Sequence, residues 1–168
     1  KMGERLTESD VKKIQAEIDD RKFNQRPKLI AEVQETRAHG DLSENFEYHE
    51  AKRAKNRNES RIYYLEKMLE NATVISDKSE HGVVGMNNTV TLYIPEDDET
   101  EVYKITTSIR GNSLENKISI ESPLGKAILG KKVGDTVTVK VNDDYSYDVV
   151  IKNIDESSTD DDDEIKSY

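Results

Sequence analysis

RAHGDLSENFEYHEAKR, residues 37–53, sets a glycine, two carboxylates and a short polar run between two segments whose apolar residues have helical spacing. On the N-terminal side Val11, Ile14 and Ile18 fall three and four apart, and Leu29, Ile30 and Val33 resume the stripe. Thr7, followed three residues later by Asp10, reads as a capping-box start. On the far side Ala54, Ile62, Leu65, Leu69 and Ala72 make a second stripe, with Tyr63 and Tyr64 beside it. Pro27 lacks an N–H and clashes with the turn before it, so the first segment is predicted to be one long helix interrupted near residues 24–26. Gly40 supplies the turn, and two arms of about 30 residues, each rising about 1.5 Å per residue, predict an antiparallel hairpin roughly 45 Å long. Strict heptad positions fall on Arg21, Gln25, Asn58 and Arg61, which interrupts the coiled-coil seam and predicts modest stability in isolation.

Beyond Ala72 the period changes from helical to alternating. Residues 73–76, 88–94, 101–108, 116–121, 135–141 and 145–154 are rich in Val, Ile, Thr and Tyr and read as strands of an antiparallel sheet. Between the fourth and fifth strands Ser122, Pro123 and Gly130 mark the cap, first position and end of a short helix that covers one face. The expected organisation is therefore α+β: a helical hairpin over residues 1–75, a sheet domain over 76–156, and a tail over 157–168. Of 168 residues only 33% are apolar, low for one compact globule. Residues 1–75 are electrically neutral, and the whole net charge of −10 falls in residues 76–168, much of it in DESSTDDDDE, residues 155–164, which reads as a disordered acidic tail. The absence of cysteine excludes disulfides and zinc–thiolate sites, and no apolar run approaches the roughly 20 residues needed to span a bilayer. The chain is read as cytosolic, with no membrane partner.

Asp41 and Glu44 are three residues apart at the corner, so with a second helix starting near residues 42–43 their carboxylates can converge at the hairpin tip. A structural reading makes Asp41 the cap of that helix and Glu44 a complement to its dipole.

RPKLIAEVQETRAHGDLSENFEYHEAK (26–52), RIYYLEKMLENATVI (61–75) and ISIESPLGKAILGKKVGDTVTV (118–139) closely resemble, in order and spacing, the bacterial Gre transcript cleavage factors, and the likeness runs from residue 5 to 154. The chain is identified as a GreA-like member of that family. The resemblance implies an FKBP-like C-terminal domain that docks on the rim of the RNA polymerase secondary channel. It also implies a hairpin that reaches the polymerase active centre and promotes hydrolysis of backtracked RNA at its 3′ end, with no independent enzymatic activity. Carried over to this chain, Asp41 is the chief Mg²⁺-contacting carboxylate and Glu44 its partner, holding the metal or positioning the attacking water. Two tip carboxylates bind that ion weakly alone, so the Mg²⁺ is shared with the polymerase. Gly40, Leu42, Ser43, Asn45 and Tyr48 then support the tip. Lys52, Arg53, Lys55 and Arg57, with Arg61 beyond them, are candidates to face RNA phosphates, against the ordinary alternative of a solvated mixed-charge helix face. Tyr48 and His49 are assigned to packing or tip shaping.

Two features depart from the family pattern: Phe46 stands where a small residue is common, and the second arm is more basic than in many members. Two other functions are weighed against cleavage stimulation. A Gre-like inhibitor that occupies the same channel is disfavoured by the GDLSEN tip. A peptidyl-prolyl isomerase or chaperone with a coiled-coil arm is disfavoured by the lack of Trp and the confinement of Phe23 and Phe46 to the helical half, since isomerase pockets are aromatic-lined.

Overall fold

The computed structural model describes residues 3–40, 44–161 and 163–167. The chain divides into two compact units, one of Lys1–Glu4 with Asp10–Thr73 and the other of Arg5–Ser9 with Val74–Tyr168.

The first unit is the helical hairpin. Its first arm runs through α1 (Glu8–Asp20), a π-helical turn (Arg21–Gln25) and α2 (Arg26–Arg37), and its second arm is α3 (Phe46–Asn71). The interruption expected near Pro27 takes the form of that π turn: the Arg26 N–H reaches back five residues to the Arg21 carbonyl. α2 then restarts with Pro27 in its first turn, where the missing N–H costs nothing. Ile14 and Ile18 of the first arm, and Ile62, Leu65 and Met68 of the second, are buried.

Of the polar positions that interrupt the heptad, Arg21, Asn58 and Arg61 are cross-linked between the arms, while Gln25 donates to Asp20 on its own arm. Arg21 donates to the Asn58 side-chain oxygen at 2.9 Å, and the Asn58 amide donates to the Arg21 carbonyl at 3.1 Å. Glu17 accepts from Arg21 at 2.7 Å and from Arg61 at 2.9 Å. Outside this seam Arg26 forks onto Glu59 with two bonds of 2.8 Å, the paired geometry that gives a guanidinium–carboxylate contact its direction.

The second unit is a five-stranded sheet in the order β5-β4-β3-β7-β6, formed by β3 (Thr89–Ile94), β4 (Glu99–Thr106), β5 (Lys117–Ser119), β6 (Thr136–Lys140) and β7 (Ser146–Asp155). Two short segments near the N-terminus and after α3, β1 (Arg5–Leu6) and β2 (Thr73–Val74), form a separate pair. Alternation fixes the buried face: Val90, Leu92 and Ile94 of β3 meet Ile105, Val139, Val149 and Ile151 from the neighbouring strands. The short helix α4 (Pro123–Ile128) closes that face through Ile128. Ser122 caps it by accepting from the Gly125 N–H at 3.1 Å. A side chain on Gly125 would put a Cβ 2.0 Å from the Ser119 carbonyl oxygen, so only glycine lets α4 approach the end of β5.

Two features differ from the expectation drawn from sequence: of the first expected strand, residues 73–76, only Thr73–Val74 is extended and it pairs with β1 outside the five-stranded sheet, and that sheet is not purely antiparallel. The sheet is mixed, because β4 and β5 run parallel, with Lys104, Ile105 and Thr106 opposite Lys117, Ile118 and Ser119. The connection between them passes through two 3₁₀ turns, Ser108–Arg110 and Ser113–Glu115, which bring the chain back to enter β5 in the direction of β4. In the acidic segment after β7, Asp160 and Asp163 are buried. Composition predicts disorder when charges lack partners, and here Lys104, Arg110 and Lys117 supply them. Among the described residues no helix is long and apolar enough to cross a membrane.

Candidate functional site

The hairpin tip is built around Asn45. Its side-chain oxygen accepts from the Tyr48 N–H at 3.0 Å, which makes it the N-cap of α3, and its amide donates to the Thr36 carbonyl at 2.6 Å. One side chain thus satisfies an orphan donor of the second arm and an end carbonyl of the first. Thr36 is itself buried and bonds back to the Glu32 carbonyl at 2.8 Å. The second helix starts at Phe46, later than the expected 42–43, because the cap falls on Asn45. The structural reading of Asp41 as the cap of that helix is corrected accordingly.

Gly40 holds φ at +148°, outside the range that side chains other than glycine favour, and so opens the turn. Asp41, Leu42 and Ser43 lie outside the described residues. Glu44, immediately before the cap, is exposed. Phe46, the residue that departs from the family pattern, is 72% exposed.

Tyr48 is buried between the arms and collects cations. Arg37 donates to its hydroxyl at 3.3 Å, and the Lys52 ammonium lies 5.7 Å from its ring centroid. The Arg37 hydrogen bond, helped by the Arg37 and Lys52 charges, holds the phenol below its ordinary pKa. His49 packs edge-on to the same ring at 5.4 Å, a packing contact and not a catalytic pairing.

Of the candidate basic residues, Lys52 and Lys55 line a groove between the arms together with Val33, Gln34 and Arg37. Arg53 is tied to Glu50 on its own helix, and Arg57 is exposed. Sequence reasoning missed Arg37 and Thr36. Both lie in or beside the opening stretch, but their roles depend on which residues of the other arm face them, and spacing along one helix carries no signal for that. Among the described residues no group of three or more His, Cys, Asp or Glu side chains comes together to hold a metal.

The double bonding of Asn45 predicts a graded pair of variants. Asn45→Ala loses both the cap and the cross-arm bond and is expected to lower hairpin stability by about 1–2 kcal/mol. Asn45→Asp keeps the cap acceptor but faces the Thr36 carbonyl with a carboxylate, and should fall between Ala and parent in a denaturant melt. Parental stability of Asn45→Asp would show that the bond to Thr36 contributes nothing.

Comparison with known proteins places these elements in a wider set. Residues 4–74 match the family model described as "Transcription elongation factor, N-terminal", and residues 78–156 match "Transcription elongation factor, GreA/GreB, C-term". The chain is 41% identical to the transcription elongation factor GreA of Leuconostoc mesenteroides subsp. mesenteroides, over 84% of this chain and 89% of that protein. It is 43% identical to that of Thermoanaerobacter pseudethanolicus, over 81% and 87% respectively. Among solved structures it is similar to the GreA factor homolog 1 (Gfh1) protein of Thermus thermophilus, with a TM-score of 0.43 and 25% identity over 90% of this chain and 98% of that one.

Proposed function

The chain belongs to the GreA/GreB family of transcription elongation factors, and we propose that it acts by carrying the 41–44 tip down the secondary channel of RNA polymerase to the 3′ end of backtracked RNA. It is a transcript cleavage elongation factor and a partner of RNA polymerase. In the proposed division of labour the sheet unit docks on the channel rim and the hairpin supplies reach. Asp41 and Glu44 are the functional carboxylates.

The observation that most supports this reading is the Asn45 clamp. By capping α3 and bonding to Thr36, Asn45 leaves Glu44 exposed and without a capping duty. A carboxylate held at the end of two joined helices is positioned by the rigid arms behind it, as a reacting group must be. The donor set suits a hard cation, since both groups offer only oxygen, but it is too small to bind Mg²⁺ firmly, an ion that keeps several waters and takes further carboxylate and phosphate ligands. The polymerase is proposed to complete the site. Bound there, Mg²⁺ would supply charge stabilisation and an activated water for phosphodiester hydrolysis. The Asn45 clamp holds the helix start beside Glu44, and Lys52 and Lys55, flanking the groove with Arg37, offer positive charge to RNA phosphates.

Two carboxylates are too few to hold Mg²⁺ firmly without the polymerase, so the protein alone is expected to leave RNA intact. The test is end-labelled RNA, free or in stalled elongation complexes, incubated with Mg²⁺ and this protein. Shortened RNA is expected only in the complexes. Cleavage of free RNA that follows the protein through successive columns would overturn the cofactor role, and slower cleavage in the complexes than without the factor would replace it with inhibition.

A further inference from the structure

The acidic C-terminal segment is bound to the sheet unit in a manner unlike the rest of its packing. We infer that Lys104, Arg110 and Lys117 form a seat for an acidic peptide, and that the chain's own C-terminal segment, through Thr159, Asp160, Asp163 and Lys166, occupies it as a tethered, displaceable ligand.

The cations are placed by the fold and not by the segment. Lys104 on β4 and Lys117 on β5 are direct partners in the parallel ladder. Like charges set opposite one another across strands are destabilising, so this pair calls for an anion between them. The Asp163 carboxylate fills that position, 2.8 Å from the Lys104 ammonium and 3.0 Å from that of Lys117. Arg110 lies in the 3₁₀ turn between the two strands and is 1% exposed. Its guanidinium donates to the backbone carbonyls of Asp160 and, at 2.7 Å, of Asp163, and reaches the Ser9 hydroxyl at 3.1 Å. The Asp160 carboxylate lies 4.0 Å from the same guanidinium and accepts from the Thr7 hydroxyl at 3.2 Å. Lys104 donates to the Thr159 carbonyl, and the Lys166 N–H donates to the Ile109 carbonyl at 2.7 Å.

The seat therefore reads two things, carboxylates three residues apart and the carbonyls of a turn, since the Asp163 N–H closes onto the Asp160 carbonyl at 3.0 Å. Both are properties of an acidic peptide. Displaceability follows from what the contact lacks. Among the described residues, the hydrophobic core of the unit ends at Ile154 and takes no residue from the segment. Hydrogen bonds and charge hold it, with no contribution from the core, and an acidic segment of a partner offers the same groups. While the chain's own segment is seated, such a partner is excluded.

The test compares the full chain with one ending at Glu156, which retains every strand and the whole core. A labelled peptide of residues 157–167 should bind the shortened chain at low salt, at least tenfold more tightly than the full chain, and weaken as salt rises. Lys117→Gln in the shortened chain, or Asp160→Asn with Asp163→Asn in the peptide, should each weaken binding about tenfold or more. In the full chain, Asp163→Asn should accelerate hydrogen exchange at the Lys166 amide, which donates to the Ile109 carbonyl, while the core strands keep their protection. Equal binding of a scrambled peptide of the same charge would overturn the seat, as would no binding by a folded shortened chain. Loss of cooperative folding on shortening, or unchanged exchange in Asp163→Asn, would make the segment a fixed part of the fold and overturn its role as a ligand.

Discussion

Asp41→Asn and Glu44→Gln are each expected to slow transcript cleavage about tenfold or more at saturating factor, equivalent to about 1.4 kcal/mol or more of lost transition-state stabilisation, while melting close to the parent. The two halves of this result come from different observations. Stability should survive because the cap of α3 is Asn45, which accepts from the Tyr48 N–H at 3.0 Å. Glu44 is exposed, and its interaction with the helix dipole is limited to about 0.3–1 kcal/mol at a surface position. Activity should not survive, because each amide keeps the shape of the side chain but removes the negative charge that a hard cation requires. Saturation removes differences in docking, and competition with the parent for polymerase checks that docking is intact. Partial rescue by excess Mg²⁺ or Mn²⁺ would assign the loss to metal retention instead of water orientation. Parental cleavage rates for both variants would end the assignment of these carboxylates.

The local features of the fold were legible, and the pairings were not. Apolar spacing located both arms, and the alternating stretches located the strands of the sheet, because helical and strand periods are properties of a few consecutive residues. Ser122 and Pro123 gave the start of α4 for the same reason. The parallel entry of β5 was hidden, since it depends on how two 3₁₀ turns route the chain, and turn residues such as Asn112 and Ser113 serve many routes. The contacts of the acidic segment are hidden for the same reason, since Lys104, Arg110 and Lys117 lie more than 40 residues away and become neighbours only once β4 and β5 pair. At the tip, GDLSEN pointed to the carboxylates, but the cap was placed early: both Asp41 and Asn45 are good capping residues, and the choice is made by the bond from Asn45 to Thr36 across the turn.

The polar seam of the hairpin carries the second large effect. Arg61 is 7% exposed, and its bond to Glu17 spans the two arms at 2.9 Å. Arg61→Met should cost about 2 kcal/mol, below the roughly 3–5 kcal/mol seen when a fully buried pair is broken, because water reaches about a quarter of the Glu17 side chain and Arg21 remains bonded to it. The double variant Glu17→Met with Arg61→Met removes both charges from the seam and should return to within about 1 kcal/mol of the parent, since apolar replacement of a whole ion pair is often neutral or better. Acid sensitivity supplies an independent readout. Burial pushes the Glu17 carboxyl up, but its hydrogen bonds from Arg61 and Arg21 outweigh that and hold it below its ordinary value. A carboxyl lowered on folding contributes stability that is fully present above its unfolded pKa, about 4.3, and is lost as pH falls through the folded value. The parent hairpin should therefore lose stability in that acid range, and the double variant should lose less. Helical circular dichroism in denaturant, repeated at neutral and acid pH, reads both effects. A double variant as unstable as Arg61→Met, with an unchanged acid limb, would show that the seam is held by packing around Ile14, Ile18 and Leu65 and that the charges are incidental to it.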